Sequence, residues 1–97
     1  MDDNGSAIDD ERAYAQRMAA EAIEWPTDRK VLLAPMEDGN ARVEVVAVRL
    51  LGDAASGSCV AQLADEPDRW YCGGDNGDHV LLWGWEESQE EAWMDLY

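Results

Sequence analysis

The stretch His79–Tyr97, HVLLWGWEESQEEAWMDLY, decides how the chain is read. It joins the most apolar run, Val80–Trp85, to the densest group of carboxylates, Glu86, Glu87, Glu90, Glu91 and Asp95. A short apolar run bounded by turn residues reads as a buried strand. Ser88 followed three residues later by Glu91 has the spacing of a capping box, in which the hydroxyl accepts from the amide of the third helical residue. The spacing therefore predicts a core strand that leads into a short helix reaching Leu96. Ala92, Trp93 and Leu96 would face inward on that helix and the carboxylates outward.

Working outward, Gly73–Asp78 contains Asn76-Gly77, a strong hairpin signal. Before it, Arg69–Cys72 reads as a short aromatic strand. The breaker Asp65-Glu66-Pro67-Asp68 separates it from a strand at Ser58–Ala64, with Cys59, Ala61 and Leu63 inward. Gly52–Gly57 is a further turn. Arg42–Leu51 is the longest strand candidate, and its apolar face changes side near Val45-Val46. That change implies either a strand covered on both faces or a bulge. Glu37-Asp38-Gly39-Asn40 reads as a turn, preceded by a short strand at Val31–Ala34 that stops at Pro35.

Ser6–Trp25 is predicted as a helix. Ser6 and Asp9 resemble a capping pair, and Ile8, Ala15, Met18, Ala19, Ala22 and Ile23 form one stripe, supported by the alanine content. Pro26 ends it and biases Trp25 towards extended backbone. Residues 1–5 are expected to form a disordered tail, and 6–97 a single α+β domain. Its expected parts are an N-terminal helix, a four- to five-stranded antiparallel meander sheet and a short C-terminal acidic helix.

Charge is the compositional outlier. The 97 residues carry 22 Asp and Glu against 7 Lys and Arg, a formal net charge of −15. Self-repulsion of that size keeps a protein soluble but opposes compaction. It argues against direct DNA or RNA binding, which needs Lys and Arg for counterion release, and against anionic membranes. It favours a basic partner, adaptation to high salt, where repulsion is screened, or solubility alone. The opening residues Met1–Gly5 lack the basic and apolar regions of a secretory leader, and no run approaches the roughly 20 apolar residues of a membrane helix, so a cytoplasmic location is expected. Cys59 and Cys72 are accordingly expected to be buried free thiols.

No catalytic, cofactor-binding or metal site is expected. Cys59, Cys72 and His79 are the only soft ligands, and a structural zinc site takes four. The Gly73–Leu81 segment slightly resembles one repeat of a calcium-binding β-roll, but such repeats act as a stack and only one copy is present. There is no nucleophile elbow around Ser6, Ser56, Ser58 or Ser88, and no phosphate-binding glycine loop.

The remaining candidates are carboxylates and tryptophans. Glu86, Glu87, Glu90, Glu91 and Asp95 would line one helix at spacings of about 5–6 Å, comparable to successive phosphates along a nucleic-acid strand. Asp65, Glu66 and Asp68, then Asp75 and Asp78, would extend the row, and Asp10, Glu21 and Glu24 would form a second one. Of the five tryptophans, one or two are expected as exposed anchors, with Trp70 or Trp85 the candidates, since Trp is enriched at binding hot spots. Trp83 and Trp85 have equal strand parity and are expected on one face. In its acidity the chain is similar to the nucleic-acid mimics of phages and mobile elements. The expectation is a non-enzymatic inhibitor of anti-CRISPR or other anti-defence type, monomeric or homodimeric, that blocks the basic groove of a DNA- or RNA-binding protein. The alternative is an immunity or adaptor protein that binds a toxin or other partner through an aromatic and acidic patch.

Overall fold

An alanine-rich run from Asp3 to Glu21 forms helix α1, and the last helical hydrogen bond runs from the Ala22 amide to the Met18 carbonyl at 2.8 Å. The computed structural model describes residues 3–34 and 42–97, with side chains from Asp10 onward. The helix begins before Ser6, so Ser6 is not its cap, and it ends four residues short of the expected Trp25. The reason is competition: Ile23 and Glu24 leave the helix to pair with Gly52 and Leu51. Ile23, expected on the apolar stripe, is exposed, whereas Ala15 and Met18 are buried as the stripe requires.

The remaining elements are β1 (Ile23–Glu24), β2 (Val31–Leu33), β3 (Val43–Val45), β4 (Ala47–Gly52), β5 (Ser58–Leu63), β6 (Glu66–Asp75), β7 (Val80–Glu86) and α2 (Gln89–Asp95). They form one seven-stranded sheet in the order β1-β4-β5-β6-β7-β2-β3. The fold is α+β, with a helix at each end of the element order, but the sheet is larger than expected and mixed. β4 to β7 form the anticipated antiparallel meander. β2 departs from it by pairing in parallel with β7, Val31 opposite Val80 and Leu33 opposite Leu82. The proposed turn at Glu37–Asn40 and the stop at Pro35 lie outside the described residues.

The Arg42–Leu51 run is two strands. β3 pairs with β2, β4 pairs with β5, and Val46 alone lies between them. In a flat sheet of this order β3 and β4 would be five strand spacings apart, roughly 24 Å. Two residue steps of chain reach only about 7 Å. The sheet must therefore curl until its ends approach each other. The parity change at Val45-Val46 is the sequence trace of this passage from one flank of the sheet to the other.

Curling divides the apolar residues between two cores. Val31, Ala47, Leu50, Cys59, Ala61, Leu63, Tyr71, Val80 and Leu82 pack together with no helix residue among them, which makes this the concave interior. On the convex side, Ala15 and Met18 of α1 and Ala92 and Trp93 of α2 cover Leu51, Val60, Trp70 and Cys72. Trp93 is fully buried, and its Nε1 donates to Gln89 Oε1 at 3.2 Å. The α2 start is as expected: the Glu91 amide donates to Ser88 Oγ at 3.2 Å, and Ser88 Oγ donates to Glu91 Oε1 at 3.0 Å.

Between β6 and β7 the register shifts, so that Cys72 pairs with Gly84 and Gly73 with Leu82, leaving Trp83 as the extra residue of a bulge. A Cβ on Gly73 would lie 1.9 Å from the Leu81 carbonyl oxygen, whereas one on Gly84 would meet only Cys72 Sγ at 3.7 Å. Gly73→Ala should thus force the backbone of the bulge apart and lower stability by about 1–3 kcal/mol, while Gly84→Ala stays near wild type. Urea unfolding midpoints measure this, and equal midpoints for the two variants would contradict the close approach.

Candidate functional site

Acidic residues that the sequence groups into one row fall into separate settings. Glu86 ends β7, Glu91 and Asp95 lie on α2, and all three converge with Met94 and with Glu11 of α1 around a shallow cleft. Glu11 joins the group only because α1 packs beside α2, so no local spacing marks it. Glu86 is the most perturbed member. The neighbouring Asp95 carboxyl is the leading influence on it, followed by partial desolvation and the charges of Glu91 and Glu87. These effects push its pKa from the ordinary 4.5 up to about 7. Glu87 is exposed just ahead of α2 and Glu90 is half-buried in its first turn, near the positive end of the helix. Among the described residues no cation forms an ion pair with any of these carboxylates.

The other predicted acids are partly occupied by the chain's own donors. Glu66 Oε2 accepts from Arg69 and from the Tyr71 hydroxyl. Asp75 accepts from Arg29 Nη2 at 2.8 Å and from the Gly77 amide at 2.9 Å, and the Arg29 hydrogen bond is the leading reason its pKa is lowered. Gly77 itself has a φ of 95°, the left-handed conformation that Asn-Gly in this turn anticipates. Asp78 lies 2.7 Å from His79 Nδ1, and that hydrogen bond lowers its pKa in turn. Asp65 and Asp68 are exposed. Of the second row, Asp10 and Glu21 are exposed on α1, whereas Glu24 belongs to β1.

The tryptophans meet the expectation in part. Trp70 is buried in the convex core beneath Arg49, whose guanidinium carbon lies 5.6 Å from the ring centroid, so it is no exposed anchor. Trp85 is 38% exposed, but Arg69 lies over its ring at 4.1 Å. Trp83, not singled out from the sequence, is the most exposed tryptophan at 48%. The bulge breaks strand alternation: Trp85 pairs opposite Tyr71 of the concave core, whereas the Trp83 ring lies beside Gly74, on the face shared with Cys72. The two rings therefore do not share a face, contrary to their parity in the sequence.

Cys59 and Cys72 are free, buried and on opposite faces of the sheet, one in each core. Burial pushes their thiols up to about 12 and about 11, so both stay protonated at neutral pH. Among the described residues no three His, Cys, Asp or Glu side chains are placed to hold a metal ion, and no helix is long and apolar enough to cross a membrane. Comparison of the chain with protein-family models, with curated proteins and with solved structures finds no match.

The Glu86–Asp95 pair has a signed consequence for stability. The folded state holds the Glu86 proton more tightly than the unfolded chain, with a pKa of about 7 against 4.5. Its contribution is then full below the unfolded value and is lost as pH rises through the folded one. Glu86→Gln should unfold at a higher temperature than wild type at about pH 8, and the two melting curves should converge near about pH 5. Paired thermal melts across that range test this; a constant offset at every pH would remove Glu86 ionisation as the cause.

Proposed function

We propose that the protein is a non-enzymatic acidic inhibitor that mimics nucleic acid and occupies the basic groove of a DNA- or RNA-binding protein. The observation that carries this reading is the convergence of Glu11, Glu86, Glu91 and Asp95 from three elements with no pairing cation among the described residues. Of the seven basic residues, two pair with Glu66 and Asp75, and none pairs with this face among the described residues. The arrangement keeps like charges together at the expense of stability, and a basic surface would relieve the repulsion on docking.

The physical route is steering followed by competition. A net charge of −15 on a small domain raises the encounter rate with a basic groove, and the occupied groove is closed to nucleic acid. The rigid start of α2, fixed by the Ser88 cap, gives Glu87, Glu90 and Glu91 set relative directions, as a row that stands in for phosphates requires. Proteins of this type act in anti-CRISPR and other anti-defence systems, and cytoplasmic basic-groove nucleases are the partners we propose.

Competition assays test the reading. Wild-type protein should displace a labelled duplex from a basic-groove nuclease, with an inhibition that weakens steeply as salt is raised. The combined variant Glu86→Gln, Glu87→Gln, Glu90→Gln, Glu91→Gln and Asp95→Asn should lose displacement by about ten-fold or more. Neutralising Glu66 and Asp75, already engaged by arginine, should change it far less. If the combined variant displaces duplex as well as wild type does, the acidic face is not the inhibitory surface.

A further inference from the structure

The arginines of this chain follow a pattern with one vacancy. Arg29 lies over Trp25 at 5.3 Å, Arg49 over Trp70 at 5.6 Å, Arg69 over Trp85 at 4.1 Å and Arg17 over Tyr14 at 5.8 Å. Trp93 needs no cover, being fully buried. Trp83 is the one tryptophan that is neither buried nor, among the described residues, stacked under a guanidinium. Four of the six arginines are thus committed to the chain's own rings.

The surroundings of Trp83 give this a direction. Its ring lies beside Gly74, where no side chain intervenes. Leu81 of β7 and Leu32 of β2 pair side by side as half-buried neighbours, and Glu44 of β3 lies across from Leu32. Among the described residues the convex core under α1 and α2 contains no residue of β2, β3 or β7, and α2 meets β7 only as a neighbouring element outside that core. An indole face attracts cations through its negative quadrupole, and a strongly negative protein adds to that attraction. A second copy of the chain is a poor occupant, since it brings the same −15 charge, with four of its six arginines already on its own rings.

We propose that Trp83, flanked by Leu81 and Leu32, is the docking point for an arginine of the basic partner, which completes between two proteins the stacking that the other rings make within one. The inference rests on the reading of an acidic face that occupies a basic groove, and it names the contact that would orient the partner. Arginine suits the position better than lysine because its planar guanidinium can lie flat on the ring.

Calorimetric titration with an arginine octapeptide and a lysine octapeptide at low ionic strength tests it on the protein alone. Trp83→Leu should weaken arginine-peptide binding by about two- to five-fold, Trp83→Phe should retain most of it, and lysine-peptide binding should change less. Circular dichroism checks that both variants fold. Equal binding of the arginine peptide by wild type and Trp83→Leu would overturn the proposal, as would equal losses in the Leu and Phe variants, which would mark an apolar contact instead of stacking. The five-carboxylate variant separates the two readings: if it alone loses binding, the acidic face stands and the Trp83 contact falls. If it binds both peptides as wild type does, the acidic-face reading fails by itself.

Discussion

Val46 joins two strands that lie on opposite flanks of a seven-stranded order, and most of the architecture follows from that connection. A single residue cannot bridge a flat sheet of this width, so the sheet curls, and curling creates an interior that strands can fill without help from a helix. Tyr71, Leu50 and Leu82 meet there although they come from three different strands. The parallel pairing of β2 with β7 extends the curl and carries β3 with it. The two helices are then left to cover the convex side over β4 to β6. Trp83, at the bulge of β7, stays exposed on the protein surface.

The electrostatics complement this arrangement. With seven basic residues against 22 acidic ones, the fold cannot neutralise its surface, and it uses its arginines in two ways. They lie on aromatic rings, and two of them also hold Glu66 and Asp75 in hydrogen-bonded pairs. An exposed ion pair adds little to stability, so their main effect is to fix local geometry at the β5–β6 turn and the β6–β7 hairpin. The carboxylates around Glu86 have no such partner. Their repulsion raises the Glu86 pKa and remains as a potential directed outward.

How far the sequence could be read depended on the distance over which each feature is determined. The Ser88–Glu91 cap, the Asn76-Gly77 turn and the inward set Cys59, Ala61 and Leu63 are decided within a few residues, and all were legible. The end of α1 was not, because Ile23 and Glu24 take their partners from Leu51 and Gly52, far along the chain. The split of Arg42–Leu51 left a visible trace, a change of apolar parity, with no indication of which strands each half would join. Trp83 and Trp85 were misread because alternation holds only in an unbroken strand, and the bulge opposite Cys72 and Gly73 inserts a residue between them.

The sequence by itself determined the alternation of a helix, a series of strands and a capped acidic helix, together with the excess of negative charge. These depend on local propensity, capping chemistry and composition. Only the tertiary structure decided that the sheet is mixed and curled, that Trp70 is buried while Trp83 is exposed, and that Glu11 joins Glu86, Glu91 and Asp95. Each of those outcomes depends on which distant backbone edges pair and which helices pack side by side. Such pairings are selected by the burial of whole faces and have no counterpart in the spacing of neighbouring residues.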